Sequence, residues 1–480
     1  MKKHFITFIM LCFSFMATGQ SNNTVEITDE VYEVLSNIEM RGLCTKLSNV
    51  KPYTEKYIVS KLDEAIEALQ DSDSKYSEKE INILQIYKDK YKKKDDGLKF
   101  SHLFYSASRD ASSFPISFTV DLNTDSFVSG GVYTDSDCNS MGYEIWETLD
   151  IYGKLGNNIS YRSTGYLEIT KMPQTLMGTY DIGYWWYDFD TDDYSSTPVR
   201  TINTYRNYSV LPYSYKKHWD GSVYFLNGGV NAGGLTGWAF EDALAFGMQG
   251  EIHGTFFDNL LDVGIGRINR EWAAMDNGSS LVFNANAHPM FGIEYSVNLF
   301  EWISFSSMTG FLEFPNQKYM LENAWYITDG QGNLVDTKTD SFFFHNLFAI
   351  GMLDLDFKYL HWDFGSTVVM PNRFELGYSF PLLDRVVYQN NVGDYDNLAL
   401  FTNLKLRYPG IGSVWGSFYL DEMNSLTAKI FEKTRCMFAY QAGSKVNIPF
   451  LPFTSLALRY TKVEPYCYTH QALSSSISQP

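Results

Sequence analysis

Phe291-Gly292-Ile293-Glu294-Tyr295-Ser296-Val297-Asn298-Leu299 alternates large apolar residues with small or polar ones over nine positions. Alternate side chains of an extended chain point to opposite faces, so one face of this stretch is apolar and the other is not. The period of two recurs in Ile116–Leu122, on both sides of the Gly156-Asn157-Asn158 turn, in Leu244–Phe256 and in Leu347–Tyr359. Runs of about nine or more residues suit a tilted strand crossing a bilayer, whereas strands of soluble sandwiches average nearer 5–6. Aromatic residues gather near the ends of these runs, as in Trp185-Trp186-Tyr187, Trp302, Phe342-Phe343-Phe344 and Trp362, which is where a transmembrane barrel carries its girdles. The pattern predicts an all-β transmembrane antiparallel barrel over residues 99–480, with Phe118, Val120, Phe246, Met248, Tyr295, Val297, Leu353 and Leu355 facing outward. Roughly 20 residues per strand with its connections leaves room for about 16–19 strands. A soluble all-β protein is the competing architecture.

Composition narrows the function classes. The chain has 480 residues, 16% of them aromatic, 20% charged and 45% hydrophobic. That is enough apolar material for a large core and excludes a disordered chain. A net charge of −18 and a pI near 4.9 would repel phosphates, so no nucleic-acid partner is expected. The longest apolar stretch, Phe5–Ala17, is too short for a spanning helix.

That stretch reads instead as an export signal over residues 1–19. Lys2 and Lys3 precede it, and Ala17 and Gly19 are small residues ahead of a cut before Gln20. Residues 20–98 then form a helical bundle, on the periplasmic side if the barrel spans an outer membrane. Thr28 is expected to cap a helix ending at Gly42, Thr54 a second, and Ser77 with Glu80 to form the capping box of a third. The lysines from Lys88 to Lys94 suit the last turn of that helix. Cys44, Cys138, Cys436 and Cys467 are widely spaced and form no ligand cluster, so no metal is expected from them.

Two groups of residues are candidates for binding. Trp185, Trp186 and Tyr187 lie among carboxylates, where flat rings could stack on sugar faces or form an interfacial girdle running into a loop. Arg267 and Arg270 precede Trp272, and guanidinium forks suit the carboxylates of acidic sugars. The same arginines could instead form salt bridges with Asp262 and Glu271. Catalysis has no comparable candidates. Asp421 and Glu422 are adjacent in a strand and point apart, and neither HExxH nor GxSxG occurs.

The order of several motifs resembles the Wzi-type capsule-assembly proteins of Gram-negative outer membranes. The resemblance runs from Val31-Tyr32-Glu33-Val34-Leu35, Arg41-Gly42 and Lys51-Pro52-Tyr53 through Tyr213-Ser214-Tyr215 and Trp219-Asp220-Gly221. Its most specific block is Gly266-Arg267 to Arg270-Glu271-Trp272, then Gly278-Ser279-Ser280-Leu281 and Ala287-His288-Pro289. Leu420-Asp421-Glu422, Arg459-Tyr460-Thr461 and Pro465–His470 complete it. The resemblance implies a periplasmic helical bundle, an 18-stranded barrel and a lectin-like role tethering capsular polysaccharide. Two places depart from the pattern. A Trp-Gly-Pro-Gly-like turn is replaced by Trp272-Ala273-Ala274-Met275, and the chain ends Ser475–Pro480 without a terminal aromatic, so a barrel cut short at its C-terminus, with fewer strands, is expected. The expectation is therefore a monomeric, non-enzymatic, cofactor-free outer-membrane protein contacting lipid and capsular or extracellular polysaccharide. The alternative is an outer-membrane channel for solutes or oligosaccharides.

Overall fold

The computed structural model describes residues 22–70, 77–91, 98–99, 119–134, 139–155, 158–171, 177–188, 193–205, 242–257, 259–285, 287, 289–312, 327–328, 334–336, 347–370, 374–379, 385–392, 396–423, 436–448, 451, 453–464 and 467–468. The expected export signal and the C-terminal Ser475–Pro480 lie outside them.

Three helices come first: α1 (Val31–Arg41), α2 (Glu55–Gln70) and α3 (Ser77–Tyr91), with a two-residue strand β1 (Val50–Lys51) between α1 and α2. Leu35 and Ile38 of α1, Ile58, Leu62 and Leu69 of α2 and Leu84 of α3 pack into one buried cluster. Helices this short need such mutual burial to persist. Gly42 ends α1 in the left-handed conformation at φ 72°, where a residue without Cβ is unstrained. Thr54 Oγ1 accepts from the Tyr57 amide at 3.2 Å, capping α2. One cap differs from expectation: Asp29 accepts from the Val31 amide at 3.0 Å. The side chain of Ser77 lies outside the described residues, and the Glu80 carboxylate is buried against the Arg41 guanidinium at 2.8 and 3.0 Å, a bidentate charged pair.

The rest is β. The strands are β2 (Leu98–Lys99), β3 (Thr119–Thr134), β4 (Asn139–Leu155), β5 (Ile159–Lys171), β6 (Met177–Asp188), β7 (Asp193–Tyr205), β8 (Asp242–Phe256), β9 (Leu261–Ile268), β10 (Glu271–Trp272), β11 (Met290–Phe300), β12 (Ile303–Phe311), β13 (Ile327–Thr328), β14 (Leu334–Asp336), β15 (Leu347–Asp356), β16 (Leu360–Met370), β17 (Asn397–Tyr408), β18 (Gly412–Met423), β19 (Cys436–Asn447) and β20 (Ser455–Val463). Fourteen of them form one sheet in the order β2-β3-β4-β5-β8-β9-β11-β12-β15-β16-β17-β18-β19-β20. Neighbours pair antiparallel throughout. β6 and β7 pair separately, as do β13 and β14. No helix among the described residues is long and apolar enough to cross a membrane.

The register carries one face across the sheet. Ile252 opposes Ile265, Ile265 opposes Ile293, and Ile293 opposes Thr309. This outer face exposes large apolar side chains: Met248 is 65% and Ile293 54% exposed, and Leu404, Val414, Phe418 and Leu458 are exposed as well. The opposite, inner face buries polar ones, including Glu251, His253, Glu294, Asp354, Asp363, Asn403 and Gln441. A water-soluble sheet has the reverse arrangement. Met248 sits on the outer face as expected, and Tyr295, Val297, Leu353 and Leu355 share it at partial exposure. The side chains of Phe118, Val120 and Phe246 lie outside the described residues.

The two ends of the sheet differ. Two to four residues join β4 to β5, β8 to β9, β11 to β12, β15 to β16 and β17 to β18. The helices dock at this short-turn end, where the Gly410 amide donates to Met40 O at 3.1 Å and Arg41 lies over the Phe453 ring at 5.7 Å. Most connections at the other end are longer, the four residues between β3 and β4 excepted. One of them, between β16 and β17, carries a 3-10 turn (Leu376–Ser379) and helix α4 (Arg385–Val392) back over the outer face. Ser307, Ala349, Gly351 and Ser366 make that area of wall shallow. Arg385 fills it, donating to Ser366 O at 2.9 Å, Ser307 Oγ at 3.2 Å and Tyr378 O at 2.8 Å.

Candidate functional site on the inner face of the sheet

Residues 269–285, between β9 and β11, do not extend away from the sheet. They turn inward and pack on its inner face as a plug. Trp272 is fully buried there, with Phe283, Met308, Phe348 and Tyr419 in the same core cluster. The Trp272 amide donates to Phe283 O at 3.0 Å. Ser280 Oγ donates to Trp272 O and accepts from the Val282 and Phe283 amides at 3.0 Å each. Ala273 takes a left-handed φ of 59°, the conformation a glycine adopts without strain.

Three charged groups fasten the plug. Arg270 is 1% exposed and uses its whole fork: Nε donates to Glu294 Oε2 at 2.7 Å, Nη1 to Met290 O at 2.7 Å, and Nη2 to Gly266 O at 3.1 Å. It closes the base of the plug by tying together the strands that enter and leave it. Glu271 reaches the helical domain, accepting from Lys51 Nζ at 2.8 Å, while β10 pairs antiparallel with β1. Lys445 of β19 joins all three parts, reaching Asp276 of the plug at 3.0 Å and Ser36 and Glu33 of α1 at 2.9 and 3.4 Å. A further lock joins α1 to β17. Glu39 Oε1 accepts from Arg407 at 3.0 Å and from the Leu47 amide at 3.0 Å, with Lys405 3.5 Å away. Burial alone would raise the Glu39 carboxyl, but Lys405 and Arg407 outweigh it and hold it at about 2.

Between the helices and the inner face lies a cavity of about 940 Å³. Tyr53 and Tyr57 line it from the helical side, and Asp262, Glu294, Asp354 and Asp356 from the sheet. At its wall the β15–β16 hairpin brings four ionisable groups together, with Asp354 opposite Asp363 and Asp356 opposite His361. His361 Nδ1 is 3.0 Å from Asp356 Oδ2 and 3.5 Å from Asp354 Oδ1, and Nε2 is 3.5 Å from Asp363 Oδ2. Asn49, from the segment between α1 and β1, donates to Asp363 at 2.7 Å. Asp354, Asp356 and His361 are the described residues that could hold a metal ion.

The structure separates most of the residues expected to bind a glycan. Arg267 and Arg270 do not form one site. Arg267 lies on the outer face, opposite Phe291, and donates to Met248 O at 3.0 Å. Arg270 lies on the inner side with its fork already occupied. Arg270 pairs with Glu294, one strand away, rather than with Asp262 or Glu271. Trp272 has its ring buried in the plug core, so it offers no face to a sugar. Trp185, Trp186 and Tyr187 lie on β6, opposite Ser196, Ser195 and Tyr194; their side chains lie outside the described residues. Sequence reasoning missed the Asp354-x-Asp356…His361-x-Asp363 hairpin. Its signal was available, because the residues between the apolar positions of this run are those of the inner face.

Comparison with known family models and with curated proteins yields no match for this chain.

Proposed function

We propose that this chain is an outer-membrane protein that holds capsular or extracellular polysaccharide at the cell surface, without cleaving it. The apolar outer face and polar inner face suit a wall standing in lipid. Mostly short turns at the end carrying the helices, with mostly longer connections opposite, match a periplasmic and an extracellular end. The observation that favours tethering over conduction is the plug: residues 269–285 cover part of the inner face and are ion-paired to both the helices and the wall. Resemblance to the Wzi-type proteins supplies the substrate class, and Trp185, Trp186 and Tyr187 remain the candidate stacking residues.

A deletion strain should shed its polysaccharide into the medium, and re-expression should restore retention. Replacing Trp185, Trp186 and Tyr187 together with Ala should lower retention with little dependence on salt, because ring stacking is not screened. Purified protein in a planar bilayer should conduct small ions poorly. Normal retention in the deletion strain together with steady single-channel conductance would favour the channel.

A further inference from the structure

We propose that Asp354, Asp356 and His361 form a site for a divalent transition-metal ion at the wall of the inner cavity. This goes beyond the tethering reading and does not depend on it. Register puts the three on one face of one hairpin, and their ligand atoms all lie within 4.8 Å of one another. The separations of 3.0 and 3.5 Å from His361 Nδ1 suit a shared ion. Two ligands bonded at about 2.1 Å lie roughly 3.0 Å apart at right angles and about 3.4 Å apart at a tetrahedral angle.

A second observation points to a ligand. Asp354 is 4% exposed, lines the cavity, and its Oδ1 has no hydrogen-bond partner among the described residues. Its nearest positive group is the His361 ring at 3.5 Å, with no hydrogen bond formed, and a buried carboxylate oxygen left in that position is better served by a bound cation. Asp356 is already divided in the required way. Its Oδ1 is taken by Arg407, leaving Oδ2 toward His361. Asp363 completes the arrangement from behind. With Nδ1 on the ion, the imidazole proton sits on Nε2 and faces the Asp363 carboxylate, the usual way a ligating histidine is oriented. The Asn49 amide, now 2.6 Å from Nε2, gives way while keeping its bond to Asp363. One imidazole and two carboxylates suit Zn²⁺ or Mn²⁺ better than Ca²⁺, which prefers six or more oxygens. The cavity leaves room for water at the remaining positions.

The test uses untagged full-length protein in detergent, stripped with a chelator and titrated with Zn²⁺, Mn²⁺ or Ca²⁺ by calorimetry. One equivalent of Zn²⁺ or Mn²⁺ should bind, and Asp354→Asn should weaken it tenfold or more. Asp363→Asn should weaken it 10- to 100-fold by loosening the ring. Stability supplies a second readout. Zn²⁺ should raise the urea midpoint of the wild type and leave that of Asp354→Asn unchanged, since only the wild type gains by binding. Absence of saturable one-to-one binding, or equal binding by Asp354→Asn, overturns the site.

Discussion

Replacing Glu39 with Gln removes the carboxylate that α1 presents to Lys405 and Arg407 at the short-turn end of the sheet. The ordinary carboxyl value of 4.5 falls to about 2 in the folded chain. At about 1.4 kcal/mol per pKa unit this corresponds to roughly 3 kcal/mol of stabilisation. The sign follows from the direction of the shift. A depressed carboxyl contributes fully above the unfolded value, and the contribution fades as pH falls from about 4.5 through about 2. Glu39→Gln should therefore cost about 2–4 kcal/mol at pH 7, and the difference from the wild type should shrink toward zero near pH 2. Other carboxylates titrate in the same range, but they do so in both proteins and cancel from the difference. Equilibrium urea unfolding in detergent at several pH values measures it. Hydrogen exchange at the Leu47 amide, which donates to Glu39, reports the same lock locally. A penalty at pH 7 below about 0.5 kcal/mol, or one unchanged at pH 2.5, would refute the reasoning.

Two other predictions address the plug. Trp272→Ala removes a fully buried ring and should cost about 3–5 kcal/mol in urea unfolding, while raising ion conductance through the purified protein. Arg270→Ala leaves Glu294 buried without its cation and should cost about 3–5 kcal/mol, whereas Arg270→Met combined with Glu294→Met should recover most of that loss; a double-mutant cycle read by unfolding decides it.

The strand pattern was legible because it is local. Alternation along Phe291–Leu299 needs only a period of two, and the outer face follows from it. Gly42 and Thr54 were legible as helix ends for the same reason. What escaped notice depends on partners distant in sequence. Arg41 meets Glu80 across 39 positions, and Asn49 meets His361 across 312; nothing near either residue announces the pairing. Arg270 shows a milder failure. Its neighbour Glu271 looked like a partner, yet consecutive residues of an extended chain point apart, and the true partner is across the register on β11. The same parity separates Arg267 from Arg270, three positions apart. Reading the polar positions of the β15–β16 run as a face of their own, rather than as the background to the apolar ones, would have exposed Asp354, Asp356, His361 and Asp363.

The plug also bears on whether such a protein could conduct by opening transiently. Residues 269–285 cannot leave the inner face alone, because Glu271 is held by Lys51 of the helical domain and Asp276 by Lys445 of the wall. Releasing the Lys51–Glu271 pair leaves a buried charge without its ionic partner, at a cost of about 3–5 kcal/mol, while releasing Asp276 leaves Lys445 to Glu33 and Ser36. Even one such break limits the open state to roughly one molecule in a hundred to one in several thousand. A plug that moves with the helices escapes part of this cost, but it must then break the Glu39 lock and the Gly410 contact to Met40 as well. Each route dismantles charge pairs that span two or three separate parts of the chain. Such cross-linking holds residues 269–285 in place on the inner face, and it weighs against a gate that cycles.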